Sequence, residues 1–533
     1  MERSGSGRVL SNSPSLSLPA LAHLRTATII FKLFPFALSF VRDWRRWIFF
    51  GTGVRRSTAF HARRAQRLVA AIVELGPTFV KLAQVFASRP DVVPEPYLTA
   101  LGSLTDDVPS APVDSIRRTL QVSYGRNPDE IFDNLSREPL AAGSLAQVYR
   151  ARYEGRDVVV KVLRPGVATL VERDIKAVRR LVAFASARWP NPHLSGLQVV
   201  VEQFALTIRE EMDFRLEAAN AVAIAGRFAG SRHVRIPAIE PALVREHVLV
   251  MEYMPGTRID SLAPLIMEGR FRAEQVIEMV LDAYVQMMLV DGLFHADPHP
   301  GNLRIAEDGA LIFLDFGMVA RVNPATRGHL VRTALAAISR DADGVVRGFH
   351  DLGIVRPGAD MTTIRNLVEA ILAMAFEGVA SADMAARVLT DRTLADDVMR
   401  TLYDSPIVLT GEMVYFGRAV SLIEGIGARY LPGFNAVQFA APAILRHRRA
   451  VLAAIAGDAD RGGSGASLAT LIGDIARAVA SATRQFAVAV AARVPGVALF
   501  SELVTTLYDE SALGPVVQKH ARAARSIGRV LSA

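Results

Sequence analysis

The sequence predicts an α+β fold, in which a few short strands stand among long helices. Residues 141–163 contain a turn of small residues, a strand, a hairpin and a second strand that ends in lysine. Residues 292–321 read as two short strands around an Asp-Gly turn, flanked by loops. Everything from about residue 325 onward has the apolar spacing of helices. These three observations together give the α+β assignment.

The N-terminal part of the chain divides into a tail and an apolar, basic segment. Residues 1–25 are rich in Ser, Gly and Pro, which predicts disorder. Residues 26–60 mix apolar side chains with arginines and with aromatic residues that suit a membrane interface, namely Trp44, Trp47, Phe49 and Phe50. The longest uncharged run, Leu33–Val41, is far shorter than the ~20 residues that a spanning helix needs. Packing against the following domain is the alternative interpretation.

Residues 61–137 form a predicted helical extension. Amphipathic helices cover 61–90 with a break at Gly76-Pro77, and a further helix covers 113–137. The next predicted domain spans 138–256 and contains the hairpin. It also contains two long predicted helices, at 171–188 and 198–228, and a strand that runs into a Pro-Gly turn, at 242–256.

The remaining chain is predicted to be mainly helical. Residues 257–456 begin with an apolar helix over 272–293 and contain the strand-turn-strand region. Residues 457–467, GDADRGGSGAS, have the composition of a flexible linker. Residues 468–533 form a helical tail whose apolar stretches are interrupted by charges, so none reaches the length of a membrane span.

The composition limits the classes of partner. The chain contains no cysteine, which excludes a disulfide framework. The net charge of +8 suits an anionic membrane, but no basic stripe interleaved with aromatic residues occurs mid-chain, so we expect no nucleic-acid partner. Almost all cations are arginines. A lysine in such a sequence is therefore a candidate for a role that requires a compact ammonium group.

The strongest chemical signal is a pair of acidic motifs. His295-Ala-Asp297-Pro-His-Pro-Gly-Asn302 places an aspartate five residues before an asparagine in a tight loop, and a strand later ends in Asp315-Phe-Gly. Phosphoryl transfer needs a carboxylate beside the accepting oxygen and further oxygen ligands for the metal that bridges the phosphates. Asp297 is thus a candidate catalytic residue, and Asn302 and Asp315 are candidate Mg²⁺ ligands.

A lysine and an acidic helix form a second predicted group. Lys161 ends the apolar run Val158–Val160 in a predicted buried strand, where a lysine must be paired. Glu211 and Asp213 lie two residues apart, so on one helix they point in different directions and imply two partners. Lys161 and Lys81 are the candidates for those partners. A solvated acidic face is the alternative interpretation.

With these residues assembled, the chain resembles the UbiB family of atypical kinases. The resemblance covers roughly 60–440 and rests on motifs in family order, which are AAGSLAQVYRA, VVVKVLRPGV, REEMDFRLEAAN, MEYMPG, HADPHPGNL and LDFGM. It also rests on a predicted helical segment, GRAVSLIEGIGARYLPGFN, at 417–435. It implies a protein-kinase-like two-lobe fold with an N-terminal helical extension over the cleft and a helical C-terminal region.

The resemblance also implies roles for individual residues. Asp297 is the catalytic aspartate, Lys161 the nucleotide lysine and Glu211 its helix partner. An alanine-rich nucleotide loop replaces the kinase glycine loop and comprises Ala141, Ala142, Gly143, Ser144, Leu145, Ala146, Gln147 and Val148. The segment between the lobes, whose backbone binds adenine, comprises Glu252, Tyr253 and Met254. The family's K-x-G-Q helix corresponds to a cleft-occluding group of Lys81, Gln84 and Asp213, with Ala83 in place of the family glycine.

The expected function is that of a membrane-associated atypical kinase or ATPase that uses ATP and Mg²⁺ and supports ubiquinone-type isoprenoid-quinone biosynthesis. The expected partners are a lipid or quinone precursor, a membrane surface and other quinone-biosynthesis proteins, at the cytoplasmic face of the cell membrane, peripherally. No A-P-E motif follows Asp315, so a protein substrate is not expected. The alternatives are a small-molecule kinase of the aminoglycoside or choline type and a nucleotide-binding scaffold without turnover.

Overall fold

The computed structural model describes residues 25–39, 57–87, 93, 96–104, 110–188, 192–355, 360–376, 411–431, 434, 436–447 and 449–451. The predictions for the tail before residue 25, for the aromatic residues at 44–50, for the linker 457–467 and for the tail 468–533 fall outside these residues. No helix in the described ranges combines the length and the hydropathy that crossing a bilayer requires.

The helices and strands are numbered in chain order. The helices are α1 (residues 25–39), α2 (Thr58–Leu75), α3 (Pro77–Ala87), α4 (Tyr97–Gly102), α5 (Val113–Tyr124), α6 (Val167–Arg188), α7 (Pro192–Met212), α8 (Phe214–Arg227), α9 (Ala263–Met267), α10 (Ala273–Val285), α11 (Pro324–Ile338), α12 (Ala342–Asp351), α13 (Met361–Phe376), α14 (Gly411–Tyr430) and α15 (Ala436–Arg446). The strands are β1 (Ala141–Ala142), β2 (Ala146–Tyr153), β3 (Arg156–Leu163), β4 (Val234–Arg235), β5 (Val248–Glu252), β6 (Thr257–Arg258), β7 (Leu293–His295), β8 (Leu303–Ile305), β9 (Leu311–Phe313) and β10 (Val319–Arg321).

The chain divides into two compact units. The first comprises Met1–Leu216 and Glu240–Met251, and the second comprises Glu217–Ile239 and Glu252–Ala533. The chain thus crosses between the units three times, after Leu216, Ile239 and Met251, and the last crossing lies in the predicted lobe-joining segment. The predicted domain limits at 137, 256 and 456 stay predictions.

The first unit combines a helical layer with a sheet. Gly76, at φ 94°, ends α2 and Pro77 starts α3, so the predicted helix break is confirmed. Ile29, Leu75 and Phe79 are buried in a core shared by α1, α2, α3, α4 and α6. The sheet order is β1-β2-β3-β5, and the antiparallel β2–β3 pair confirms the predicted hairpin.

Two predicted helices are shorter than expected. The helix predicted over 113–137 ends at Tyr124, because Gly125 adopts a left-handed conformation that terminates α5. The helix predicted over 198–228 is interrupted at Asp213, whose side chain accepts a hydrogen bond from the Arg215 backbone N–H (3.1 Å). Asp213 therefore behaves as a cap between two helices, and the angular argument for one continuous helix was wrong.

The second unit holds two small sheets in a helical setting. The sheet orders are β4-β9-β8-β6 and β10-β7. The antiparallel pair β8–β9 confirms the predicted strands around the Asp-Gly turn. The predicted apolar helix over 272–293 is α10 followed by a π-helical turn, Gln286–Asp291, that ends at Gly292. The described residues beyond Pro324 are mostly helical, as predicted.

Candidate functional site

The loop after β7 brings Asp297 and Asn302 together. Ala296 N–H donates to Met318 O (2.9 Å), which ties this loop to the start of β10. Asn302 Nδ2 donates to the backbone oxygen of Asp297 (3.1 Å), and Leu314 N–H donates to Asn302 O (2.8 Å). The asparagine thus bridges the Asp297 loop and the residue that precedes Asp315. The structure places the three predicted acidic and amide groups on adjoining backbone segments.

The Asp315-Phe-Gly turn has an uncommon backbone. Asp315 has φ 56°, a left-handed conformation that aspartate tolerates better than most residues. Its Oδ1 accepts a hydrogen bond from Gly317 N–H (3.1 Å). Phe316 is buried at 1% exposed, and its carbonyl accepts from Asn220 Nδ2 (3.1 Å). The buried ring and these bonds hold the Asp315 carboxylate at a defined position.

The His295 ring contacts the backbone of the Asp315-Phe-Gly turn. Its ring is fully buried, and Nε2 lies 2.7 Å from Asp315 O and 3.2 Å from Leu314 O. A carbonyl oxygen only accepts, so Nε2 donates, and the Tyr284 hydroxyl lies 3.5 Å from Nδ1. Burial raises the pKa of Tyr284 well above its ordinary value, which keeps the hydroxyl a donor. His295 thus positions the Asp315 backbone.

Arg418 is a site residue that the sequence reasoning missed. It lies on α14, and its Nη2 is 2.9 Å from Asp297 Oδ1. It falls within the helical segment GRAVSLIEGIGARYLPGFN, but no local pattern there marks one arginine as special. Only the fold brings it to the catalytic loop.

The metal ligands predicted from the sequence suit Mg²⁺ chemically. Asn302 donates through Nδ2, which leaves its amide oxygen for a cation, and Asp315 supplies carboxylate oxygens. Among the described residues, no cluster of three His, Asp or Glu side chains has the arrangement of a protein-only metal site. A cation here would therefore complete its coordination with phosphate and water oxygens, as in kinase sites.

The alanine-rich loop in the first unit is a tight hairpin. Ala142 pairs with Gln147, and Gly143 N–H donates to Ala146 O (2.8 Å). Arg164 Nη1 donates to Gly143 O (3.0 Å), which fixes the turn from the side. A side chain at Gly143 would meet Ala146 O at 3.5 Å, an ordinary contact, so this loop does not depend on glycine.

Two polar atoms of this loop are buried without a hydrogen-bond partner in the described part of the chain. They are Ser144 Oγ and Gln147 Nε2, on side chains that are 2% and 0% exposed. Buried polar groups are nearly always satisfied, so an orphaned donor indicates a missing ligand or water. Gln147 pairs with Val162 in the β2–β3 register, and its amide oxygen accepts from the Tyr149 hydroxyl (3.4 Å). This side chain therefore lies on the core face of the sheet, opposite to Lys161. The Ser144 hydroxyl is the orphaned group of this loop that suits a phosphate oxygen.

Lys161 lies opposite Val148 in the β2–β3 register, next to the loop. The strand alternates, with Val160 and Val162 fully buried and Lys161 partly exposed, so Lys161 lies on the less buried face of the predicted strand. Lys161 Nζ lies 5.4 Å from the centre of the Phe214 ring, within cation–π range. Phe214 follows the predicted Asp213 directly and was not recognised from the sequence.

The predicted acidic residues have separate partners. Glu211 forms an ion pair with Lys81 (2.5 Å), the second candidate partner, whereas the resemblance pairs Glu211 with Lys161. Asp213 accepts two hydrogen bonds from the Arg215 guanidinium, both 2.8 Å, and these hold its pKa below the ordinary value. Gln84, one turn after Lys81 on α3, donates to Leu104 O (3.4 Å). Both side chains of the K-x-x-Q pair thus bind partners within the first unit.

Two further residues, Glu217 and Glu252, bear on the predicted acidic group and on the predicted adenine contact. Glu217, on α8, is only 4% exposed, and the sequence reasoning passed over it although a buried carboxylate requires a partner. Glu252 N–H donates to Ala238 O (2.8 Å), so an adenine contact at Glu252 must use its carbonyl. Tyr253 and Met254 stay predicted adenine-binding residues.

Comparisons with known proteins indicate the family of this chain. Residues 103–349 match the ABC1 atypical kinase-like domain. Protein ACTIVITY OF BC1 COMPLEX KINASE 8, chloroplastic, from Arabidopsis thaliana is 31% identical over 411 residues, which cover 71% of this chain and 54% of that protein. Uncharacterized protein sll0095 from Synechocystis sp. is 31% identical over 424 residues, which cover 78% of this chain and 72% of that protein.

A solved structure, the complex of Rv3197 with erythromycin from Mycobacterium tuberculosis, superposes with a TM-score of 0.45 at 24% identity and covers 70% of this chain and 92% of that one. The chain spans about half the length of the Arabidopsis relative. The family profile and the Synechocystis relative rest on the same region that carries the catalytic-loop and Asp315-Phe-Gly motifs. This chain belongs to the UbiB/ABC1 family of atypical kinase-like proteins.

Proposed function

We propose that this chain binds Mg²⁺-ATP and transfers or hydrolyses its terminal phosphate in support of isoprenoid-quinone biosynthesis at a membrane surface. The observation that carries the proposal is the hydrogen-bonded arrangement of Asp297, Asn302 and Asp315. A carboxylate, an amide oxygen and a second carboxylate on adjoining segments are the groups that phosphoryl transfer requires.

Each residue has a chemical role in this proposal. Asp297 accepts the proton of the attacking hydroxyl or water, and Arg418 orients its carboxylate. Asn302 and Asp315 hold Mg²⁺, which would neutralise charge on the phosphate oxygens. In the first unit, Lys161 and the Ser144 hydroxyl of the alanine-rich loop are the groups that would bind phosphate oxygens.

The segment after Asp315 favours an acceptor that is not a protein. β10 ends at Arg321, and α11 starts at Pro324 with Asn323 Oδ1 accepting from Thr326 N–H (2.9 Å). Few residues separate Asp315 from α11, too few for the long segment on which a protein kinase places a peptide. Water or a small or lipid-like acceptor fits better.

The membrane part of the proposal rests on α1. Ile30, Phe31, Phe34 and Leu38 are exposed there at 42%, 80%, 58% and 55%, and three of them recur at helical spacing. Such an exposed apolar stripe suits peripheral attachment to a lipid surface, at the cytoplasmic face of the membrane in this proposal. The quinone role follows the family resemblance.

ATP turnover of the full chain, with and without anionic liposomes, tests the proposal. We expect Mg²⁺-dependent phosphate release that rises with liposomes. Asp297→Asn should lower kcat by about 10²–10⁴-fold, as loss of a general base does. Asp315→Asn should raise the Mg²⁺ concentration needed for half-maximal rate.

The matched control is Asp308→Asn, an exposed aspartate in the turn between β8 and β9, which should leave turnover unchanged. Full turnover by Asp297→Asn would contradict the proposed chemistry. A thermal shift with ATP but no phosphate release would instead identify a scaffold, and a phosphorylated metabolite would identify a small-molecule kinase. An unchanged quinone content after deletion of the gene would contradict the pathway assignment.

A further inference from the structure

The helical layer of the first unit forms a half-open apolar cavity of about 280 Å³. Helices α1, α2, α3 and α4 contribute its walls. The lining residues include Leu33, Leu68, Phe79, Ala83, Phe86 and Leu101. Every lining side chain is a hydrocarbon except that of Tyr97.

The lining of the cavity offers water almost no hydrogen-bond partner. The Tyr97 hydroxyl, its one polar group, accepts a hydrogen bond from Arg64 Nε and lies 3.1 Å from His61 Nδ1. A water molecule held in the cavity would need two or more polar partners, which the lining does not supply. The volume is roughly twice that of an apolar cavity of about 150 Å³ that binds benzene. A hydrocarbon chain in the cavity would remove the apolar lining from water, which is favourable.

The cavity wall and the exposed stripe share one helix. Leu33 on α1 lines the cavity, whereas Phe31 and Phe34 on either side of it are exposed to solvent at 80% and 58%. A helix with apolar residues on both faces contacts an apolar medium on both. The outer stripe suits the lipid surface proposed above, which would supply molecules that carry hydrocarbon chains.

The cavity also adjoins the K-x-x-Q pair through α3. Leu82 and Ala83 line the cavity, and they lie in sequence between Lys81 and Gln84. Lys81 pairs with Glu211 in the same unit. One short helix therefore carries both the apolar wall and the polar group.

We propose that this cavity binds one hydrocarbon chain, of the acyl or isoprenoid class, from a lipid-like ligand. The inference names a ligand class for the function proposed above and rests on that proposal. Binding is therefore measured without nucleotide. Turnover of ATP without hydrocarbon binding would overturn this inference alone, and hydrocarbon binding without turnover would contradict only the proposed function.

The test is a fluorescence titration of the full chain with cis-parinaric acid. We expect saturable binding at one site, with competition by decanol if the site prefers acyl chains and by geraniol if it prefers isoprenoid chains. Ala83→Leu and Leu68→Phe fill the cavity and should weaken binding by tenfold or more. Ala70→Leu, on the exposed face of α2, makes the same change as Ala83→Leu outside the cavity and should bind as the parent does.

Two outcomes would overturn the inference. One is the absence of saturable binding to the parent chain, which needs no variant and would indicate that the cavity takes no ligand. The other is parent-like affinity in a folded cavity-filling variant, with folding checked by thermal melting. Phe31→Ser separates the cavity from the outer stripe, because it should reduce liposome recruitment and leave cis-parinaric acid binding unchanged.

Discussion

Arg418 Nη2 lies 2.9 Å from Asp297 Oδ1, so an arginine of α14 holds the carboxylate that the sequence predicts to be catalytic. The two side chains are 33% and 25% exposed, which leaves the pair open to an incoming substrate. Asn302 fixes the backbone of Asp297 at the same time. The carboxylate is thus oriented by two independent contacts.

Arg418→Lys should lower kcat for ATP turnover by about 10–100-fold and leave KM for ATP nearly unchanged. A lysine presents its charge as a compact ammonium without the guanidinium fork, so the Asp297 carboxylate would lose its fixed orientation. A misplacement of about 1 Å costs up to about 10²-fold in rate. Steady-state kinetics separate the two constants.

Arg446→Lys is the matched control, because Arg446 makes a similar 2.9 Å contact with Asp282 in the same unit. We expect its kcat to equal that of the parent. If Arg418→Lys instead accelerates turnover, Arg418 restrains Asp297 rather than positions it, and the assigned role is wrong.

The sequence predicts well what is local in the chain. Asp297, Asn302 and Asp315 lie in two short motifs whose spacing sets their geometry, and the hairpin from Ala142 to Leu163 is one supersecondary unit. Arg418 was missed because 121 residues separate it from Asp297. Such a contact depends on tertiary packing and leaves no periodic or spacing signal.

The points that the sequence leaves open or misplaces also have physical causes. The run that ends at Lys161 looks uniformly apolar, but a strand buries alternate residues, and Lys161 lies on the less buried face. The continuous helix predicted across Asp213 ignored the tendency of aspartate to cap a helix. Glu211 forms an ion pair with Lys81. The sequence left both lysines open as partners, because the pairing depends on where α3 packs.

The Lys81–Glu211 pair should show measurable coupling in a double-mutant cycle. Lys81→Met and Glu211→Gln should each lower the free energy of unfolding, and the coupling should be about 1 kcal/mol or more, within the range for residues in contact. The lysine is 17% exposed, so removal of one partner leaves a poorly solvated charge. Urea denaturation of the four proteins gives the cycle.

Arg179 and Glu202 provide the comparison, since they join α6 and α7 in the same unit but are 35% and 50% exposed. Exposed pairs contribute about 0.2–1 kcal/mol. Equal coupling in the two cycles would show that the position of Lys81 on α3 has no special energetic role.

Ala142→Gly tests whether the alanines of the nucleotide loop restrict the backbone. Glycine widens the accessible backbone angles, at a cost of about 0.5–1 kcal/mol in a strand. We expect a small loss of thermal stability and a change of about two- to fivefold in the ATP-to-ADP affinity ratio, or the appearance of autophosphorylation. Nucleotide titrations and a phosphate-incorporation assay check both. A variant that matches the parent in both would make the alanines incidental.

Asp291→Asn should stabilise the protein more as pH rises. Burial raises the pKa of Asp291 above 3.8, its ordinary value, and its Oδ2 has no hydrogen-bond partner in the described part of the chain. Well below pH 3.8 the residue is protonated in both the folded and the unfolded state, so it costs little. As pH rises from 3.8 to the folded-state pKa, the unfolded state gains from ionisation while the folded state does not, and above the folded-state pKa this cost to stability is constant. The substitution removes this cost and should raise the free energy of unfolding at pH 7. The gain is limited to about 1 kcal/mol, because the group is only partly buried.

Asp308→Asn gives the opposite sign and so controls for the loss of a negative charge. A backbone hydrogen bond from Ala310 and the neighbouring Arg235 hold the pKa of Asp308 below its ordinary value. Its contribution to stability is present above pH 3.8 and is lost as pH falls through the folded-state pKa. Between pH 4 and pH 8 the urea midpoint of Asp308→Asn should therefore stay below that of the parent by a constant amount, whereas the midpoint of Asp291→Asn should rise relative to the parent as pH rises. A difference between Asp291→Asn and the parent that stays constant over this range would show that Asp291 is not held near its neutral form by burial.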